Sequence, residues 1–194
     1  MKKIIAILVA ILGISFGAEA QKVQIGLRLG GNYSNFIGSG ADSLDLEGIW
    51  GGHGGLIVTV PLVSKYVAVR SDIIYSMKGA KSENDSLNID LGYVDIPIMG
   101  QLSAGPFYLE AGPQMSFRVK SDIKDKENRE NIQSLANSFK RTSLSYAAGA
   151  GFRIPSVGLD FGVRYNGDLS RLIKNIDNKE FRNSVLMFTT SYGF

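Results

Sequence analysis

The residue best suited to catalysis is His53, which lies between glycines in the stretch GGHGG at 51–55. It is the only histidine, so it alone could supply the imidazole of a serine–histidine–acid set. No serine is tied to it by spacing, and we interpret it as a polar side chain bonded to neighbours such as Asn32 or Lys78. The chain also has no cysteine, so the residue types for a transition-metal site are missing. We therefore expect no catalytic residues and no enzyme activity.

Two groups of acids could hold calcium in loops. They are Asp42, Asp45 and Glu47 in the first group, and Glu83, Asp85 and Asp90 in the second. Neither group has the spacing of a calcium loop. The glycine stretches GSG at 38–40 and GAG at 149–151 do not form a phosphate-binding loop, because no helix follows the first and the second falls within a predicted strand. The sequence predicts no metal and no cofactor, and the glycines of the second stretch make room for large side chains on adjacent strands.

A side-chain period of two defines the elements that carry these residues. Residues 107–120, FYLEAGPQMSFRVK, alternate apolar or small residues with polar ones, which is typical of an extended strand with two unlike faces. The pattern recurs and predicts eight strands, at about 23–35, 50–60, 66–78, 89–102, 107–120, 143–154, 157–169 and 183–194. In the fourth strand, Ile89 and Leu91 are out of phase with the residues that follow, so we expect a β-bulge near Gly92.

The connections between the predicted strands alternate in length. Tight turns are expected at 61–65, 103–106 and 155–156, and longer polar loops at 37–49, 79–88, 121–142 and 170–182. Short turns at one end and long loops at the other are typical of an up-and-down antiparallel barrel in an outer membrane. An even number of strands places both termini at the short-turn end, which we expect to be periplasmic. In the third long loop, Ile132, Leu135, Ala136 and Phe139 have helical spacing and predict a short helix.

The apolar faces of the predicted strands carry almost no charge and have aromatic residues near both ends. These are Trp50, Tyr75, Phe117, Tyr146 and Tyr165 toward the long loops, and Phe107, Phe152, Tyr192 and Phe194 toward the short turns. Two such bands are the interfacial girdles of a membrane barrel, so the polar faces are predicted to line the interior. A soluble β-barrel carrier with the apolar faces inside is the alternative.

The predicted interior is rich in charge. Its charged residues are Arg28, Arg70, Asp72, Lys78, Asp95, Glu110, Arg118, Arg153, Asp160, Arg164 and Asp168. Positive and negative groups nearly balance, and charges removed from bulk water persist only when they are paired. An eight-stranded barrel is about wide enough for its own side chains. We therefore predict a salt-bridge network that closes the lumen, with a charge-lined pore as the alternative.

The first twenty residues have the organisation of a secretory signal peptide. A basic MKK precedes the apolar stretch IIAILVAILGISFGA, and Ala18-Glu19-Ala20 forms a small-x-small cleavage site before Gln21. The apolar stretch is shorter than the roughly 20 residues of a spanning helix. We expect cleavage of 1–20 to leave one domain, 21–194. The charge balance of this domain is too even to indicate a nucleic-acid partner.

Six stretches carry a resemblance to a known family. They are GLRLGGNYS at 26–34, GGHGGLIVTVPLVSKYVAVRSDIIYSMKGAK at 51–81, YVDIPIMGQL at 93–102, FYLEAGPQMSF at 107–117, GAGFRI at 149–154 and LDFGVRYNGDLS at 159–170. In this order they resemble the PorT-like outer-membrane β-barrel family typical of Bacteroidetes. Ser71-Asp72 departs from the proline–acid pair of that family, and Asp95 stands where glutamate is usual. The resemblance implies an eight-stranded outer-membrane barrel with no established enzyme activity. Its namesake is linked to protein secretion, a role that the resemblance does not by itself extend to this chain.

The combined pattern predicts a structural or interaction protein of the cell envelope whose external loops do the specific work. The alternatives are a small-solute channel and a lipid-modifying outer-membrane enzyme, which would need His53. The expected partners are outer-membrane lipid, the β-barrel assembly machinery and a protein of an envelope or secretion complex. Phe188, Tyr192 and Phe194 are in phase at the end of the last strand and predict a signal for that assembly machinery.

Overall fold

The barrel described below comes from a computed structural model, which describes residues 23–38, 46–62, 66–82, 87–125, 140–169 and 182–193. These residues form eight strands: β1 (Gln24–Ile37), β2 (Leu46–Pro61), β3 (Val67–Ser82), β4 (Leu87–Ala104), β5 (Phe107–Asp125), β6 (Thr142–Ile154), β7 (Leu159–Asp168) and β8 (Arg182–Gly193). Each strand pairs antiparallel with the next, and β8 pairs with β1. The predicted eight-stranded up-and-down barrel is confirmed. No helix in the described residues is long and apolar enough to cross a membrane.

Several strands continue past their predicted ends at the long-loop side. β2 begins at Leu46 rather than near 50, β3 continues to Ser82 and β5 continues to Asp125. The alternation of apolar and polar residues stops before these ends. The backbone hydrogen bonds between strands continue, because they do not depend on an apolar face. β7, in contrast, begins at Leu159 rather than near 157. Its first predicted residues form a turn in which the Val157 amide donates to the Ile154 carbonyl at 3.2 Å and Gly158 has a φ of 69°.

Three predicted features lie outside the described residues. They are the signal peptide at 1–20, the helix around 132–139 and the terminal Phe194.

Two register shifts interrupt the strand pairing. The shift between β4 and β5 falls at Gly92 and Tyr93, where a bulge is predicted, but the extra residue is Val119 on β5, since Gly92 pairs with Lys120 and Tyr93 with Arg118. The predicted phase change within β4 is wrong: Ile89 and Leu91 are buried inward residues in phase with Tyr93 and Asp95. The shift between β2 and β3 falls between Gly48 and His53 and has no counterpart in the sequence prediction. Glycines occupy half of that stretch, at 48, 51 and 52, and a residue without a side chain gives no sign of the face it occupies.

The strands are strongly staggered. A path along backbone partners that leaves β1 at Gly26 returns to β1 at Phe36, ten residues further along. In an eight-stranded barrel a stagger of this kind goes with strands tilted by roughly 40° to the barrel axis. Because of the tilt, an inward side chain meets side chains of non-neighbouring strands that lie at the same height along the barrel axis.

Apolar side chains cover the outside of the barrel, and polar side chains fill the inside. Trp50 is 69% exposed and Phe107 is 65% exposed, whereas Arg28, Asp72 and Asp95 are fully buried. Aromatic pairs lie on the outer face toward both ends, with Tyr146 and Tyr165 at 6.0 Å and Phe152 and Phe161 at 5.2 Å between ring centroids. This arrangement is the reverse of a soluble carrier and is that of a membrane barrel.

Candidate functional site

Seven charged side chains from five strands form one connected network in the lumen. They are Arg28 on β1, Arg70 and Asp72 on β3, Glu110 on β5, Arg153 on β6, and Asp160 and Arg164 on β7. All of these side chains are at most 7% exposed except that of Arg153, which is 31% exposed. We call this set the lumenal network, and the part of the lumen that contains it the short-turn half.

Asp72 joins two arginines at the centre of the lumenal network. Its Oδ2 accepts from Nη1 of Arg28 at 2.5 Å and from Nη1 of Arg164 at 2.8 Å. The remaining donors of Arg164 turn to Glu110, where Nε and Nη2 reach Oε1 at 2.8 and 2.6 Å. Arg28 also donates from Nε to the hydroxyl of Ser191 at 3.1 Å. Each central charge therefore has an oppositely charged partner, which buried ions require, while Nη2 of Arg28, Oδ1 of Asp72 and Oε2 of Glu110 are buried without a hydrogen bond.

The second part of the lumenal network lies nearer the short turns. Arg70 donates from Nη2 to Oδ2 of Asp160 at 2.8 Å and from Nε to the hydroxyl of Thr59 at 3.3 Å, and its Nη1 lies 3.5 Å from Oε2 of Glu110. Arg153 binds the same aspartate with two bonds, from Nε at 2.7 Å and from Nη2 at 3.1 Å. Asp160 is thus held by two guanidinium groups.

Glycines on the inner face make room for the large side chains of this half. The guanidinium of Arg70 stacks over the ring of Tyr108, with 5.6 Å between its Cζ and the ring centroid. A Cβ atom placed on Gly162 would lie 2.6 Å from the Tyr108 hydroxyl, and one on Gly151 would lie 2.5 Å from it. At Gly149 the nearest atom is the backbone oxygen of Val163 at 2.8 Å, and the Cβ of Arg164 lies at 3.3 Å. The contact of Gly151 with Tyr108 agrees with the prediction that glycine in the GAG stretch accommodates a large side chain, whereas Gly149 is limited by the neighbouring backbone.

The part of the lumen toward the long loops, which we call the long-loop half, holds shorter polar side chains and an ion pair between Lys78 and Asp95 that is separate from the lumenal network. Lys78 lies 2.9 Å from Asp95, whose Oδ2 also accepts from the Ser76 hydroxyl at 2.6 Å. The ammonium of Lys78 lies over the ring of Tyr93, 4.8 Å from its centroid. Lys78 and Asp95 are on neighbouring strands, so this pair reinforces the wall and does not reach across the lumen.

His53 belongs to the long-loop half and contacts an amide. Its Nδ1 lies 3.4 Å from Oδ1 of Asn32, one of the two neighbours expected from the sequence. The Nδ2 of Asn32 in turn donates to the backbone carbonyl of Met77 at 2.5 Å. Ser34 bonds the β3 backbone in the same way, at the Gly79 carbonyl and amide. These β1 side chains reach over the glycines of β2 at the unpredicted register shift and satisfy β3 backbone groups there.

The two remaining predicted lumenal charges lie apart from the lumenal network. Asp168 is buried near the long-loop end and accepts from the backbone amide of Asn183 at 3.3 Å. Arg118 is half-buried, and its backbone amide donates to the Arg141 carbonyl at 2.8 Å. Among the described residues there is no group of three or more histidine, cysteine or acidic side chains that could hold a metal ion.

Sequence reasoning missed the uncharged partners of the lumenal network. Thr59, Tyr108 and Ser191 all lie on inward faces that the alternation predicts. Which inward residue meets which depends on the stagger of the barrel. The alternation within one strand carries no information about that stagger.

The fold and the inverted distribution of polar and apolar side chains define a small outer-membrane β-barrel protein. The chain belongs to the family described as outer membrane protein beta-barrel domain, whose model matches residues 19–174.

Solved structures of similar fold support this class. Ail, the attachment invasion locus protein of Yersinia pestis, is 14% identical with a TM-score of 0.50, and the match covers 89% of this chain and 99% of Ail. Neisserial surface protein A is also 14% identical, with a TM-score of 0.52 and coverage of 88% and 97%. At this identity the likeness concerns the fold alone. Among curated proteins, none matches the chain significantly.

Proposed function

We propose that this protein is a structural or interaction component of the cell envelope, with a lumen closed by its own side chains. The lumenal network carries this proposal. Two of its ion pairs, Arg164 with Asp72 and Arg70 with Asp160, join β7 to β3, which are four strands apart and therefore on opposite sides of the barrel. Side chains that meet across the full diameter of an eight-stranded barrel leave little room for a solute path.

The proposal includes an orientation and a route to the membrane. Residues 1–20 act as a cleaved signal peptide, and the short turns and both termini face the periplasm. The in-phase aromatics Phe188, Tyr192 and Phe194 are read by the β-barrel assembly machinery during insertion. The side chains of Phe188 and Tyr192 are exposed on the outer face of the barrel, which supports this role. An assembly factor can contact them there before the barrel enters the lipid.

We also propose that the chain belongs to the PorT-like, Bacteroidetes-type group within its family, on the strength of the sequence stretches described above. On this view it works beside proteins of an envelope or secretion complex. A barrel of this fold can also present its surface to a soluble ligand: Yersinia pestis Ail has been solved with the heparin analogue sucrose octasulfate. For the present chain, we propose that the long loops contact a protein.

No catalytic role is proposed for His53. Its Nδ1 lies beside the Asn32 amide, whereas a general base of a serine–histidine–acid set needs a serine hydroxyl on one nitrogen and a carboxylate on the other. If the protein were a lipid-modifying enzyme, its overexpression would alter the lipid of the outer leaflet, and His53→Ala would abolish that alteration.

Crosslinking in the native outer membrane tests the interaction role. The tagged protein is crosslinked in cells, purified and analysed by mass spectrometry beside a variant in which residues 126–139 are replaced by a short glycine–serine turn. We expect a stoichiometric partner that is recovered with the intact protein and lost with the shortened loop. Lys120→Gln, a surface change on β5, serves as the control and should retain the partner. Recovery of the barrel alone from both proteins would contradict the interaction role and favour the small-solute channel.

A further inference from the structure

A cavity of about 440 Å³ lies at the short-turn end of the lumen. It lies between the turns that follow β4 and β6 and the short-turn ends of β1 and β8. Arg70, Arg153 and Asp160 of the lumenal network line it, together with Thr59 and Tyr108. The volume is within the range of small-molecule sites, roughly 300–1,000 Å³.

The charges that line this cavity do not cancel. Arg70 and Arg153 together bring two positive charges, and Asp160 brings one negative charge. The lumenal network as a whole also has four arginines and three acids, so pairing with its other members does not remove the excess. The excess falls on Arg153, which is partly buried, and an anion placed beside a partly buried cation is attracted more strongly than in bulk water.

The donors around the cavity suit a carboxylate. Nη1 of Arg70 is buried beside Oε2 of Glu110 at 3.5 Å, so it belongs to the lumenal network and leaves Arg153 as the donor that borders the cavity. Arg153 is the one member of the lumenal network with a substantially exposed side chain, so its guanidinium borders both the cavity and solvent. A planar guanidinium binds a carboxylate through two parallel hydrogen bonds, which a spherical ion cannot match.

The uncharged lining favours an apolar group next to that carboxylate. The exposed side chains of Pro106 and Pro155 line the cavity, next to the buried side chains of Ile57 and Tyr108. An inorganic anion would leave this apolar surface in water, whereas an aliphatic side chain would cover it.

We propose that the cavity binds an organic carboxylate that carries an apolar group, either as a free small acid or as the carboxyl end of a peptide. The ligand enters from the compartment that the short turns face. This goes beyond the interaction role of the long loops, which lie at the other end of the barrel, and it holds whether or not that role is correct.

Nuclear magnetic resonance titration of the folded, isotope-labelled protein in detergent micelles tests the site. The probes are N-acetylleucine, its uncharged amide, the tripeptide acetyl-Ala-Ala-Leu with a free carboxyl end, and sodium chloride at matched ionic strength. We expect saturable shifts of the arginine Nε–H signals with N-acetylleucine and at least about tenfold weaker binding of the amide, because the amide loses the charge-assisted hydrogen bonds. Binding of the tripeptide as well assigns the site to a peptide end, and binding of N-acetylleucine alone assigns it to a small acid.

Variants locate the binding. Arg153→Gln should weaken N-acetylleucine binding about tenfold, and Lys120→Gln, at the opposite end and on the outer surface, should leave it unchanged. If Arg153→Gln fails to fold, the comparison of N-acetylleucine with its amide on the unaltered protein still shows whether the cavity binds a carboxylate. Equal binding of acid and amide, equal binding of chloride, or the absence of saturable shifts would overturn the proposal.

Discussion

The two halves of the lumen are both polar, yet their side chains bond over different distances. In the short-turn half, ion pairs join β1 to β3, β5 to β7, and β3 to β7 across the whole barrel. In the long-loop half, Lys78 and Asp95 join neighbouring strands, and Asn32 and Ser34 reach only from β1 to β3. The short-turn half is built on arginines, whereas the long-loop half combines serine and asparagine with Lys78, Arg118 and Asp168. Among the described ion pairs, those that join opposite walls lie in the short-turn half.

The largest expected effect comes from removing the acid that two arginines share. Asp72→Ala leaves Arg28 and Arg164 without this carboxylate, and breaking a buried ion pair costs about 3–5 kcal/mol. We expect the free energy of unfolding, measured with urea in lipid vesicles, to fall by that amount. The matched change in the long-loop half, Asp95→Ala, leaves one buried cation without its carboxylate instead of two and should cost less, about 3 kcal/mol at the lower end of the same range. An equal or larger loss for Asp95→Ala would contradict the difference between the halves.

A double-mutant cycle sharpens the comparison with a smaller effect. Because Lys78 and Asp95 form a separate pair, Lys78→Met leaves an uncompensated buried acid, and adding Asp95→Leu removes it. We expect the double variant to be more stable than Lys78→Met by about 1–3 kcal/mol. The corresponding addition of Arg164→Met to Asp72→Ala should recover less, because Arg28 still lacks Asp72 and Glu110 now lacks Arg164. Equal recovery in the two cycles would show that the lumenal network is a sum of independent pairs.

Packing around Tyr108 gives a still smaller effect. Gly162→Ala places a methyl group 2.6 Å from the Tyr108 hydroxyl, and we expect a loss of about 1–2 kcal/mol in unfolding free energy. Tyr108→Phe removes that hydroxyl, so the double variant should recover most of the loss. The remaining close atoms, on Thr189 and Ala150, lie at 3.2 and 3.3 Å and can adjust. If Tyr108→Phe gave no recovery, the hydroxyl would not be what requires glycine at this position.

A change outside the lumen should affect neither half. Deletion of Phe194 is expected to lower the yield of assembled barrel, read as heat-modifiable protein on a gel, with unchanged unfolding free energy of the fraction that does assemble. An internal control is Phe188→Tyr, which keeps an aromatic ring on the outer face. An unchanged yield after the deletion would argue against an assembly signal at the end of β8.

Much of the wall was predictable because the alternation of side chains records it directly. The eight strands and the inward position of residues such as Arg28 and Asp95 follow from the phase of apolar residues. The bulge at Gly92 does not, because Ile89 and Leu91 face inward in phase with Tyr93 and the extra residue lies on β5. The register shift between Gly48 and His53 was not predictable, since glycines carry no phase. Partner choice was not predictable either: Arg164 and Asp72 are far apart in sequence, and they meet through the tilt and closure of the whole barrel. The sequence therefore predicts the set of lumenal charges better than the pairs they form.

Electrical conductance across a planar lipid bilayer tests the central claim most directly. Three proteins are compared: the unaltered barrel, a variant without both wall-to-wall ion pairs (Arg70→Ala, Asp72→Ala, Asp160→Ala and Arg164→Ala), and the long-loop control with Lys78→Ala and Asp95→Ala. Heat-modifiable mobility first establishes that each has folded. If the lumenal network closes the barrel, we expect no steady conductance for the unaltered barrel and the control, and a stable conductance for the fourfold variant. Steady current through the unaltered barrel, or equal current through the control and the fourfold variant, would contradict closure by the lumenal network.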